Sequence, residues 1–79
     1  MTTPQDVSQW IAAALECSHL EVDGDGQHFQ ALIVSPVFEG LSSVRRHQAV
    51  YKALGARMHV DIHALSMRTL TPCEFAAAE

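Results

Sequence analysis

Five histidines and two cysteines are the side chains of this 79-residue chain best suited to hold a transition metal. Cys17 and Cys73 each lack a second thiol two residues away, so neither belongs to a CxxC zinc or redox pair. His19, His28, His47, His59 and His63 are scattered, and no HxxxxH-type helical spacing joins them. By residue type alone none stands out as a ligand, because imidazole serves many roles. Asp23 and Asp25 crowd one short segment, VDGDG, which looks like the start of a calcium loop. The later ligands and the closing Glu are missing. Two carboxylates on an exposed turn are also too well solvated for acid–base catalysis. No nucleophile sits in a recognisable setting with a base, so the chain reads as a non-enzyme.

The charged residues suggest a second chemistry. The net charge is −4, which argues against binding nucleic acid by bulk electrostatics. The charge is nevertheless divided along the chain. Six acids and no Lys or Arg precede Ser42, and all five Lys and Arg residues lie between Arg45 and Arg68. Arg45, Arg46 and Lys52 share one predicted helix, with Ser42 and Ser43 at its start. That is a possible phosphate grip, a face for an acidic partner, or a solvated surface. A GxxG nucleic-acid loop is absent, since Gly40 opens GLSS.

The elements that must position these residues follow from periodicity. Thr3-Pro4-Gln5-Asp6 is a helix start, and Val7, Trp10, Ile11, Ala14 and Leu15 form one apolar face, predicting a helix from Pro4 to about Cys17. His19 to Asp23 alternates as a strand. Gly24-Asp25-Gly26 is turn chemistry, and HFQALIV, His28 to Val34, returns as a second strand. A second helix starts at Ser42 or Ser43 and ends at Gly55. Its apolar stripe is Val44, His47, Val50, Tyr51 and Leu54. A turn from Arg57 to Val60 leads to a third strand, Ile62 to Leu70, with Leu65 and Met67 on its more apolar face. Thr71 then caps a last turn, to which Glu74 can reach back. The order predicts an α+β fold, with helices on one face of a three-stranded sheet. Which strand pairs with the third is left open. One small domain fills the chain, no stretch is long enough to span a bilayer, and no leader precedes the first helix, so the cytoplasm is the expected compartment.

Three stretches resemble the BolA family in its short bacterial form: GDGQHFQALIVSPVFEG, RRHQAVYKAL and IHALSMRTLTPCEF. The pattern FxGxxxxxRHxxVxxxL runs from Phe38 to Leu54, and the likeness extends from about Glu21 to Phe75. The resemblance implies a class II KH-like fold. It also implies a monothiol glutaredoxin as partner, with a [2Fe-2S] cluster shared between the two proteins. The family's C-terminal cluster ligand is the histidine opening the HAL strand, here His63. Its second ligand, often Cys or His, comes from the loop between the first two strands. A gapless alignment puts Asp25 at that position, with His28 three residues on. Imidazole suits iron better than carboxylate does, so His28 is the better donor and Asp25 the poorer. The family is also described as DNA-binding regulators of cell shape and stress response, which would use Arg45, Arg46 and Lys52. Alone, such a protein is expected to be a monomer or weak homodimer.

Overall fold

The structure, a computed structural model, describes residues 2–62 and 64–78, with the backbone only at His59. The elements run α1 (Pro4–Ala14), β1 (His19–Gly24), β2 (His28–Val34), a 3-10 turn (Pro36–Phe38), α2 (Ser43–Leu54), α3 (Arg57–Val60), β3 (Ala64–Leu70) and α4 (Pro72–Ala78). Among the described residues, no helix is long and apolar enough to cross a membrane.

Local chemistry accounts for the helix starts. Thr3 and Asp6 form a reciprocal capping box: the Asp6 N–H donates to Thr3 Oγ1 at 3.1 Å, and the Thr3 N–H donates to Asp6 Oδ2 at 3.0 Å. Helix α1 stops at Ala14, short of the predicted Cys17. Tertiary hydrogen bonds draw the next residues off the helical path. The Ser35 hydroxyl donates to the Glu16 carbonyl, and the Ser18 N–H donates to the Val34 carbonyl at 2.8 Å.

The sheet order is β1-β2-β3, so β2 is central. It pairs antiparallel with β1, His19 opposite Val34, and parallel with β3, His28 opposite Ala64. A parallel neighbour needs a crossover, and α2 with α3 provides it. Val7 and Ile11 from α1, Phe29 and Ile33 from β2, Phe38, and Val50 from α2 are sealed from solvent in one core. Leu65 and Met67 pack against it, and Thr69 beside them is buried. The face of β3 read as apolar is therefore the inner one. Ile62, assigned by alternation to the opposite face, is buried because β3 starts only at Ala64 and Ile62 lies in the link before it.

The apolar stripe of α2 needs correcting. Val50 and Leu54 are buried, but Val44 is 65% and Tyr51 42% exposed. The helix is rolled so that Arg46, Val50 and Leu54 form the inward line. Arg46 explains the roll. Its guanidinium donates through Nε to the Leu41 carbonyl at 2.9 Å and through Nη1 to the Thr69 carbonyl at 3.2 Å. It also forms a two-pronged pair with Glu74, at 2.6 and 3.2 Å. Glu74 in turn caps α4: Glu74 Oε1 accepts from the Thr71 N–H at 2.9 Å, and the Glu74 N–H donates to Thr71 Oγ1 at 3.1 Å. One arginine thus ties together α2, the end of β3 and α4. Helices α1 and α2 cover the inner face, while α4 sits at the end of the sheet, where Phe75 stacks on the His19 ring at 4.8 Å.

Two predictions follow from this packing. Phe38→Ala empties a fully buried site and should destabilise the fold by about 3–5 kcal/mol, read by urea denaturation. The Arg46 pair, with the Thr71 N–H, holds the Glu74 carboxyl down from 4.5 to about 2. A carboxylate whose folded value is depressed binds protons more weakly in the native state. Its stabilisation is complete above pH 4.5 and fades as pH falls toward 2. Glu74→Gln should therefore flatten the acid limb of the stability-versus-pH curve in that window and lower stability at neutral pH.

Candidate functional site

The hairpin tip that carries Asp25 and His28 is joined to the start of β3 by the parallel ladder. The tip is shaped by glycine. A Cβ on Gly24 would stand 2.5 Å from the His28 carbonyl oxygen and 2.7 Å from Phe29 Cδ1, and Gly26 has φ 100°. A side chain at either position would open the turn. Asp25 closes it from within. Asp25 Oδ1 accepts from the Gln27 N–H at 3.0 Å and the His28 N–H at 2.9 Å, and the Asp25 N–H donates to the His28 carbonyl at 3.2 Å. Those two backbone donors, His28 first, hold the Asp25 carboxyl below its ordinary value. Its other oxygen, Oδ2, lies 3.9 Å from His28 Nδ1.

Both side chains face water, His28 with 69% and Asp25 with 70% of the side chain exposed. They differ as donors. One carboxylate oxygen of Asp25 is occupied by the turn, and the group is hard. The His28 ring, projecting from the first residue of β2, is the better match to iron. Asp25, read from the sequence as a possible ligand, holds the turn that carries His28.

The ladder joins this tip to the start of β3. The Ala64 N–H donates to the Gln27 carbonyl at 3.0 Å, and Ala64 pairs with His28. His63, expected from the family resemblance to be a ligand, lies outside the described residues; its chain neighbour Ala64 is the residue bonded to the hairpin tip. Beside the tip is an open depression of about 600 Å³, walled by Trp10, Gln27, Val60 and Asp61. Val60 there is 80% exposed. The Arg57 guanidinium lies over the Trp10 ring at 4.2 Å, and Thr2 Oγ1 donates to the Asp61 carbonyl at 2.8 Å, so α3 is fastened to the start of the chain. Among the described residues, no three His, Cys, Asp or Glu side chains gather into a set that would hold a metal ion by itself.

The three cations assigned to a nucleic-acid grip separate. Arg46 turns inward, its side chain 13% exposed, and its guanidinium is consumed by Glu74 and two carbonyls. Arg45 and Lys52 face solvent. The sequence carries one signal for this inward role. The signal was Glu74, three residues after the cap Thr71, which promised a carboxylate at the base of α4 but not its partner. Cys17 is half-buried, and burial pushes its thiol up; Cys73 is exposed, and both are free thiols.

A family model described as BolA-like protein matches residues 11–74. The acid stress protein IbaG of Escherichia coli (strain K12) is 36% identical over 72 residues, spanning 90% of this chain and 86% of that protein. The DNA-binding transcriptional regulator BolA of Haemophilus influenzae is 39% identical over 62 residues, 76% of this chain and 60% of that one. A solved BolA homologue from Coxiella burnetii superposes with a TM-score of 0.85 at 47% identity, covering 96% of this chain and 99% of the other.

The turn bonds give a test. Asp25→Ala should speed exchange of the Gln27 and His28 amides by about tenfold, as expected for losing a net hydrogen bond, whereas Asp25→Asn, which keeps an acceptor oxygen, should stay close to the parent. Amide exchange by NMR reads both.

Proposed function

The chain belongs to the BolA-like family, and on that premise we propose that it is a non-catalytic cytoplasmic partner of a monothiol glutaredoxin, sharing a [2Fe-2S] cluster with it. His28 and His63 are the donors this chain would contribute. The observation that carries the reading is the bond from Ala64 to the hairpin tip, which ties the segment after His63 to the residue before His28. On this reading the two ligands come from separate stretches of chain, whose neighbours the bond joins at one end of the sheet. The remaining positions fall to the partner, in keeping with a chain that has no CxxC.

The donor set fits such a centre. Imidazole is an accepted ligand for one iron of a [2Fe-2S] unit, where it raises the potential relative to thiolate. When bound, the cluster supplies an electron-accepting and transferable iron–sulfur unit. The chain's own tasks are to present two imidazoles, to hold the tip closed through Asp25, and to leave the approach open for the partner. A site with no thiolate of its own suits handover or sensing better than permanent storage.

Anaerobic reconstitution with a monothiol glutaredoxin tests this. The mixture should give a visible circular dichroism spectrum distinct from that of the glutaredoxin alone. His63→Ala should abolish the distinct spectrum, and His28→Ala should shift it and shorten its lifetime in air. A mixture whose spectrum is the simple sum of its parts, or a mixed spectrum unaffected by either change, defeats the reading.

A further inference from the structure

Helix α2 has an outer face that the fold leaves uncovered. Val44 and Tyr51, seven residues apart, lie on one line of that face, 65% and 42% exposed. Arg45 and Lys52, also seven apart, form the adjacent line and are exposed. Neither cation has an ion-pair partner among the described residues. The helix, SVRRHQAVYKAL, contains no acid, although the whole chain carries a net charge of −4. Large exposed apolar side chains are few here: Val37, Val44, Tyr51 and Val60. Three of the four fall on α2 and α3.

The direction of α2 matters as much as its surface. Arg46, near its start, bonds Thr69 at the far end of β3, and the chain leaves its C-terminal end through α3 to enter β3 at Ala64. Tyr51 and Lys52 therefore lie toward the hairpin-tip end, where exposed Val60 borders the depression beside Gln27. The depression beside the tip thus reaches α3, which follows α2 in the chain.

We infer that this face, Val44, Arg45, Tyr51 and Lys52 with Val60 at its foot, is the docking surface for the protein that shares the cluster, and that the partner's contacting surface is acidic and partly apolar. The inference rests on the cluster-sharing reading, and its basis is charge complementarity: two unpaired cations flank an apolar line on a helix without acids. Tyr and Arg at such a site are the residue types that concentrate binding energy at protein interfaces. Two cations would give duplex DNA too few phosphate contacts to bind tightly at physiological salt.

The test needs no iron. The full chain is titrated calorimetrically with a cluster-free monothiol glutaredoxin. Tyr51→Ala, and separately the double change Arg45→Glu with Lys52→Glu, should each weaken binding by about tenfold or more. Arg68→Glu, on the open face of the sheet, should leave it unchanged. Amide shifts on binding should map to α2 and α3. Far-UV circular dichroism verifies that each variant is folded, and the exposed charge pair serves even if Tyr51→Ala is unstable. The inference is overturned if the charge-reversed chain binds like the parent, if shifts map to the open sheet face, or if cluster-free partner does not bind. It is equally overturned if these residues instead mediate self-association in sedimentation, or bind duplex DNA more tightly than protein. Failure here with a His63-dependent mixed spectrum intact removes the docking face alone. Variant-sensitive docking with a cluster indifferent to His28 and His63 removes the ligand reading alone.

Discussion

Parallel pairing of β2 with β3 is the interaction on which the rest of the molecule depends. It places Ala64 opposite His28 and lets the Ala64 N–H donate to Gln27, so two segments far apart in sequence share one end of the sheet. A parallel neighbour cannot be reached by a tight turn, so the chain must leave the sheet and return. Helices α2 and α3 are that detour, and the core formed by Phe29, Ile33, Val50 and Leu54 holds it down. The same detour runs α2, its outer face uncovered, toward the hairpin-tip end of the sheet. On the proposed reading, one topological necessity links fold and function.

The second constraint is electrostatic. Arg46 could have been one more solvated cation. Its position opposite Glu74, with two carbonyls completing the guanidinium's bonds, makes it the clasp between the crossover helix and the last one. Breaking either partner leaves the other poorly satisfied, which costs more than the pair itself contributes. The clasp also divides the basic segment by role. Arg46 supports the fold, Arg57 leans on Trp10, and Arg45 and Lys52 remain outside.

Much of this was legible in the residues. The capping pairs Thr3–Asp6 and Thr71–Glu74, the hairpin turn and the bounds of β2 follow from local chemistry, which needs no tertiary partner. The strand order did not follow, because alternation states which face is buried but not which edge is paired. The roll of α2 was missed for a related reason. Arg46, Val50 and Leu54 are spaced as regularly as the expected stripe of Val44, His47, Val50, Tyr51 and Leu54, and only the distant Glu74, by engaging Arg46, selects between them. At the candidate site, residue types named His28 and Asp25, but the division of labour between them appears only in the turn's hydrogen bonds, which spend Asp25 on holding the backbone. The ligand role proposed for His63 comes from family likeness and not from spacing.

Imidazoles from two chain segments are proposed to complete an iron–sulfur centre in another protein. Pulsed electron paramagnetic resonance on the reduced mixed complex tests it most directly, with this chain alone labelled with ¹⁵N-histidine. Coupling from labelled imidazole nitrogen is expected, diminished when His28 is replaced and again when His63 is. A mixed cluster showing no coupling to this chain's histidines would contradict it.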